Sequence, residues 1–472
     1  MARSRASIPP IRLRSAPLTD SPPPRTITRQ LFSLAAPIIG LNVLNVMMLA
    51  VDSALCGRLP DGDRALSALG FATQIAFLLL VAMLGLLVGT VALVARAHGG
   101  RATDRVNELL AQSTQLTLIV GIAVGIVGAL FAEPLVAALG ASDEVAALGA
   151  EYLRPLMAGV PFSYLALLYA GIFRGVGNTR VPFLCALAAN VVNAALNYAL
   201  VLGNLGAPQL GVVGSAISTV IAQLVNLLGL MAVLRTGKVA GLRLELRPRP
   251  LDRRLAVELF RVGWPAAADM LVMNAGFLTS IGMLGRIGDI TVAAHGLGLR
   301  VQSLAFVPGL SVSQATAALV GQALGAGDTR RARRVARASM ALCAAIMTVL
   351  ALAIVLAAHP LVWIFDVAPG TPLERYSVEW MQVLGVAMIP GAFSIALVGV
   401  LQGAGATRTS LIINTWGTLL VHIPLGVLLG LWLEMGAFGV WLAFPISFTV
   451  RAFATYVAYR RGRWAVTGVK PT

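Results

Sequence analysis

Charge is scarce in this sequence. Only 12% of its 472 residues are Asp, Glu, Lys or Arg, roughly half the share of about 25% found in soluble domains. That shortage excludes an ordinary soluble fold. Cysteine is scarcer still: Cys56, Cys185 and Cys343 are odd in number, far apart and set in apolar runs. They form neither a disulfide framework nor a metal cluster and read as small packing residues. A phosphate-binding loop of the form G-x-x-x-x-G-K-[ST] is missing too, so any transport work must draw on a gradient or a partner. Paired acids, a His/Asp set or a nucleophile at catalytic spacing are missing from the apolar segments, which argues against an embedded enzyme. Before residue 31 there is no apolar stretch with a small-residue cleavage site, so the first helix reads as uncleaved.

What the sequence does have is apolar length, with 58% of its residues in the hydrophobic class. A helix crossing a hydrocarbon core of about 30 Å needs about 20 such residues. Apolar segments fall at about 31–56, 65–94, 109–131, 153–173, 181–203 and 211–234. After a polar break they resume at about 256–285, 291–323, 338–358, 377–401, 409–433 and 436–459. Barrel strands would be about ten residues long with alternating polarity. The expected fold is therefore an all-α polytopic membrane protein of twelve transmembrane helices, with interruptions at Pro161, Pro308, Pro390, Pro424 and Pro445. The Arg-rich start, with six prolines and one acid, Asp20, cannot build a core and is too proline-rich for a transit peptide. The expected domains are a disordered basic tail over 1–30, an N-lobe over 31–234, a linker over 235–255, a C-lobe over 256–460 and a second tail over 461–472.

An even number of spans puts both termini on one side. That side collects Arg101, Arg105, Arg174, Arg180, the run Arg330-Arg331-Ala332-Arg333-Arg334 and the ending Arg460-Arg461-Gly462-Arg463. The other side holds Arg58, Arg64, Arg154, Arg286 and Arg375, so the termini and the linker are expected in the cytoplasm of a bacterial inner membrane. The net charge of +16 is then mostly an orientation signal and gives no case for nucleic acid. The expected surroundings are the lipid bilayer, and the expected state is a monomer.

The two halves repeat. Leu31-Phe32 before Pro37 recurs as Leu259-Phe260 before Pro265, and Gly57-Arg58 recurs as Gly285-Arg286, with a constant shift of 228. The same shift takes Arg174-Gly175-Val176-Gly177-Asn178-Thr179-Arg180 onto Gln402-Gly403-Ala404-Gly405-Ala406-Thr407-Arg408, and small gaps align Gly99 with Gly325 and Gly211 with Gly436. Six spans per copy is even, so the copies insert in the same orientation. Two six-helix lobes that rock about a shared site are a transporter architecture.

The residues from Val51 to Arg58, Val-Asp-Ser-Ala-Leu-Cys-Gly-Arg, resemble the V-D-T-x-x-x-G signature of the multidrug and toxic compound extrusion (MATE) family, and Pro37 stands fifteen residues before the Asp. The Arg-Gly-x-Gly-Asn-Thr-Arg run, its copy, and the Gly-x-Gly-Asp-x-x-Arg-Ala run from Gly325 to Ala332 are similar to it as well. The stretch from Asn193 to Asn197 points to the DinF-like bacterial branch. The resemblance implies a secondary antiporter exporting cationic or amphiphilic toxic compounds against protons, with sodium as the alternative ion and no cofactor. A lipid-linked precursor flippase of the same superfamily is the rival reading. It usually has a strongly cationic cavity, and besides Asp52 only Asp269 reads as an unpaired buried charge.

An acid inside a span needs a reason. By helical rise Asp52 lies about 31 Å from the start of its helix. Asn193 and Asn197 lie about 15 and 9 Å from the outer end of theirs, and Thr219 about 12 Å from the start of the next. All four fall at similar depth in the outer half. A carboxyl group taken out of water favours its neutral form, and amides can hydrogen-bond either form. The resemblance gives these positions to an ion-binding pocket in which many relatives carry an acid where this chain has Asn197. One carboxylate instead of two favours proton over sodium. With the constant shift Asp52 maps onto Ser280 and Asn197 onto Leu425, so coupling is expected in the first lobe alone. Asn42, Asn45, Met48, Asp269, Met270, Met273 and Asn274 are the candidates for a substrate cavity between lobes. His295 and His422 have no partner at metal spacing and read as packing histidines, so no metal site is expected.

Overall fold

A computed structural model of the chain describes residues 24–244 and 250–467, and every regular element within them is a helix. The first lobe comprises α1 (Pro24–Cys56), α2 (Gly62–Gly99), α3 (Thr103–Leu130), α4 (in two halves, Asp143–Ala158 and Val160–Gly175), α5 (Arg180–Leu200) and α6 (Gly211–Thr236). The second comprises α7 (Arg253–Gly285), α8 (Asp289–Gly325), α9 (Thr329–Leu356), α10 (Pro372–Gly403), α11 (Thr407–Trp432) and α12 (Gly436–Arg460). Eleven of these are long and apolar enough to cross a membrane singly, and the two halves of α4 make the twelfth. Even the short turns repeat: Ala132–Ala138 follows α3 as Ala358–Trp363 follows α9.

Three boundaries bear on the expected domains. Helix α1 starts at Pro24, a residue suited to a first helical position, so 24–30 are helical and only 1–23 of the expected tail lie outside the described residues. Ile27 and Leu31 are what hold this start down, buried in the core of the second lobe. Within the expected linker, 245–249 lie outside the described residues, as do 468–472 of the closing tail.

Of the five prolines, Pro161 breaks its span. It follows Gly159, which gives the helix little support, and the halves of α4 bend by 53° there. In α10 the counterpart of Gly159 is Ala387, Pro390 stands one residue beyond the counterpart of Pro161, and the helix runs through. Helices α8 and α12 likewise run through Pro308 and Pro445. A proline removes one hydrogen bond, and the packed turns on either side keep the axis.

Helix α11 is different. Two π-helical turns, Gly417–His422 and Leu428–Trp432, flank a short α segment that contains Pro424. A π turn inserts one residue. Beyond the first of them the repeat shift is 229, which makes His422 the counterpart of Asn193 and Gly426 that of Asn197, in place of Leu425.

The lobes exchange helix ends. The first half of α1 (Ile27, Leu31, Ala35, Ile38) belongs to the second lobe's core, while Leu255 and Leu259 of α7 belong to the first lobe's core. On the face carrying Pro24 and Arg460, glycines let the lobes close. A Cβ on Gly263 would lie 2.5 Å from the Gly85 carbonyl oxygen. Gln322 donates across to the Gly175 carbonyl at 2.8 Å, and Arg174 is hydrogen-bonded to Gln314. Arg105 bridges Glu108 and, at 3.3 Å, Glu258 of the opposite lobe.

Candidate functional site

Helices α1, α5 and α6 bring four separated residues together in the first lobe. Asp52 is 3% exposed. Asn197 Nδ2 donates to its Oδ1 at 2.7 Å, and Thr219 Oγ1 donates to its Oδ2 at 3.2 Å. Asn193 Nδ2 reaches Thr219 Oγ1 at 3.3 Å, completing a chain of side chains from the two turns of α5. Every donor in it is neutral, and no described residue forms an ion pair with Asp52. Asn197 Oδ1 is buried and has no hydrogen-bond partner.

Three further residues belong to this pocket that the sequence did not single out. Tyr152 on α4 and Cys56 on α1 lie close enough to Asp52 to feel its charge, and Ser215 on α6 sits between them. All three are buried. Cys56 is one turn beyond Asp52 and Ser215 one turn before Thr219, a spacing that was available from sequence. Tyr152 comes from a helix whose approach no local pattern reveals.

The residues expected around a substrate cavity go to several places. Asn42 donates across the lobe boundary to Ser311 Oγ at 3.0 Å. Asn45 is exposed, and Met48, Met270 and Asn274 are half-buried. Asp269 turns into its own lobe, where Ser410 Oγ donates at 2.8 Å and Asn414 Nδ2 donates at 2.8 and 3.0 Å to the two carboxylate oxygens. Met273 Sδ accepts from Arg451 Nη1 at 2.9 Å.

Arg451 corrects the expected tally of buried charge. It is 4% exposed, donates through Nη2 to Thr418 Oγ1 at 2.8 Å, and faces the charge of Asp269. The sequence signal was its place nine residues before Arg460, about 13 Å inside the span. Asp269 is close enough for its charge to act on Arg451, though the two form no direct ion pair. Among the described residues no group of three or more His, Cys, Asp or Glu could hold a metal.

Comparison with known proteins agrees with the repeat. The MatE family profile matches residues 37–199 and again 265–428. Two relatives are the probable multidrug resistance protein YoeA of Bacillus subtilis and the probable multidrug resistance protein NorM of Burkholderia mallei. The first is 25% identical over 438 residues, 92% of this chain and 94% of the relative. The second is 30% identical over 428 residues, 89% of this chain and 90% of the relative. Among solved structures, a MATE protein in its bent conformation superposes with a TM-score of 0.85 at 22% identity, covering 94% of this chain and 98% of that one. An outward-facing multidrug resistance MATE family transporter of the MOP superfamily does so with the same TM-score and identity over 93% and 96%.

Proposed function

The chain belongs to the MatE family of membrane transporters, and on that premise we propose that it is a proton-driven antiporter that exports cationic or amphiphilic compounds, with Asp52 as the group that takes up the proton. The observation that carries this reading is a buried carboxyl group whose partners are all neutral. An uncompensated charge in such a place is costly, so the ion that neutralises it must come from solution. A proton fits the surroundings. Asn197 Nδ2 and Thr219 Oγ1 each donate to one carboxyl oxygen, and protonation turns the acid itself into a donor in a pocket where Asn197 Oδ1 is a buried acceptor without a partner. Sodium would profit from a second carboxylate, and none of the four site residues provides one.

Helix α1 links this event to the lobes. Its outer half carries Asp52 against α5 and α6, and its inner half is part of the other lobe's core. Neutralising Asp52 removes the demand for donors from α5 and α6, which frees α1 to shift and biases the lobes toward one of their two arrangements. Exchange of protons for a cationic compound then follows if the two arrangements differ in affinity for each. The multidrug resistance names of the relatives support small amphiphilic substrates. In this reading the protein sits in a bacterial plasma membrane as a monomer with both termini cytoplasmic.

The test is transport in proteoliposomes with proton and sodium gradients imposed separately and a cationic dye as cargo. The reading requires dye movement driven by the proton gradient; movement driven by sodium alone contradicts it.

A further inference from the structure

We propose that the second lobe holds its own proton-binding residue, His422, at the place where the repeat puts the Asp52 pocket in the first. The proposal rests on the reading that proton binding drives transport, and it replaces the expectation that coupling is confined to the first lobe.

Position is the first observation. The π turn in α11 advances the register by one residue and makes His422 the counterpart of Asn193. Ser280, the counterpart of Asp52, lies 2.9 Å from His422 Nε2. Around the pair, the place of Tyr152 is taken by Trp380 and that of Thr219 by Phe444, whose ring meets the His422 ring at 4.4 Å. One pocket thus has an ionisable acid held by amides, and its copy an ionisable imidazole held by hydroxyls and aromatic rings.

The second observation is the hydrogen bonding around the ring. Ser280 Oγ donates its proton to the Gly276 carbonyl at 3.0 Å, and Ser447 Oγ donates to the Phe444 carbonyl at 3.0 Å. Each hydroxyl also lies against the ring, Ser280 at 2.9 Å from Nε2 and Ser447 at 3.5 Å from Nδ1, and which atom donates there follows the protonation of the ring. An imidazolium donates at both nitrogens, to the hydroxyls and to the Ala443 carbonyl, and a neutral ring can instead accept from a hydroxyl at its bare nitrogen, so the pocket can serve the ring with or without the extra proton.

The third is a cavity of ≈ 10 Å³ lined by His422, Ser447, Arg451 and Met273 among others. It has room for about one water. Arg451 Nε, a lining residue's buried donor, has no partner. A water there would connect the imidazole to Arg451 Nε.

The groups facing His422 from neighbouring helices are Ser280 on α7, His295 on α8, and Ser447 and Arg451 on α12. Burial and the Arg451 charge oppose charging the ring. The charge of Asp269 acts against the second, and the hydroxyls at both nitrogens with a water-sized opening act against the first. His295 has neither nitrogen partnered and packs on Trp380 with ring centres 4.8 Å apart, so its surroundings offer a proton nothing.

The sequence has four histidines, His98, His295, His359 and His422, so imidazole-selective 15N labelling of the full chain in nanodiscs gives a readable spectrum. Assignment through His98→Gln and His359→Gln leaves the second-lobe pocket intact. The expected result is that the His422 ring becomes doubly protonated within about pH 5 to 8 while His295 stays neutral. Proton release on binding tetraphenylphosphonium is read in parallel with a pH indicator: His422→Gln is expected to lower it to about half, and Asp52→Asn to remove the other half. A His422 ring that stays neutral across that range, or a folded His422→Gln protein that releases as many protons as the parent, overturns the proposal. Unchanged release from Asp52→Asn instead overturns the first-lobe reading and leaves the imidazole titration to decide the second.

Discussion

Gly99 and Gly325 occupy equivalent places in the two repeats, and each is pressed against the backbone of the opposite lobe. A Cβ on Gly99 would lie 2.0 Å from the Gln322 carbonyl oxygen, and one on Gly325 would lie 1.9 Å from that of Arg96. No side-chain adjustment relieves an overlap with backbone, so Gly325→Ala must push the lobes apart on the face of the termini. Spin labels at Arg101 and Arg330, both exposed there, are expected to move apart in the variant while the protein stays folded and loses transport. An unchanged distance distribution would show that the closure does not depend on these glycines.

The single carboxylate of the first pocket makes a change of ion specificity testable. Asn197→Asp places a second carboxyl group where the amide now lies 2.7 Å from Asp52 Oδ1. Two carboxylates at that separation cannot both stay charged without a counter-ion. Dye efflux by the variant is expected to become sodium-stimulated by a factor on the order of ten, measured against the parent in matched proton gradients.

Asp269 and Arg451 predict a particular non-additivity. Asp269→Asn leaves the buried guanidinium without the opposite charge that acts on it from beyond ion-pair distance, a loss expected to be smaller than the about 3–5 kcal/mol of a broken contact pair. Adding Arg451→Met removes the stranded charge and is expected to restore much of that stability. Thermal unfolding in detergent decides it; a double variant less stable than Asp269→Asn by the full cost of Arg451→Met would mean that the two do not interact.

The wall of the second-lobe pocket should be stiff. Trp380 is fully buried and lies over Gly298, where a Cβ would come within 1.7 Å of its ring. Trp380→Ala opens a cavity at a cost of about 3–5 kcal/mol, and Gly298→Ala pushes the ring out of place. Both are expected to lower the unfolding temperature, and a larger effect from Gly298→Ala would mean that the ring is held from elsewhere.

Much of this protein was readable because membrane spans and repeats are written over long stretches. The twelve segments, the two lobes and the depths of Asp52, Asn193, Asn197 and Thr219 need only length, polarity and helical rise. What escaped depends on contacts between distant helices. The π turn before His422 carries no composition signal, so the fixed shift assigned Leu425 to a position that Gly426 fills. Tyr152 enters the first pocket from α4, a helix not adjacent in sequence to α1. Arg451, inside the last span, was not singled out, and the helix 24–30 was hidden by prolines and arginines although Ile27 and Leu31 hold it against the other lobe.

The central claim is that Asp52 takes up the proton that drives export. It is tested most directly by loading proteoliposomes with a cationic dye, acidifying the outside at fixed sodium, and following efflux for the parent and for Asp52→Asn inserted to the same level. Asn keeps the size and hydrogen bonding of the side chain and cannot titrate. The account predicts rapid proton-driven efflux from the parent and none above leak from the variant, with dye binding retained. Equal proton-driven efflux from the two proteins would contradict it.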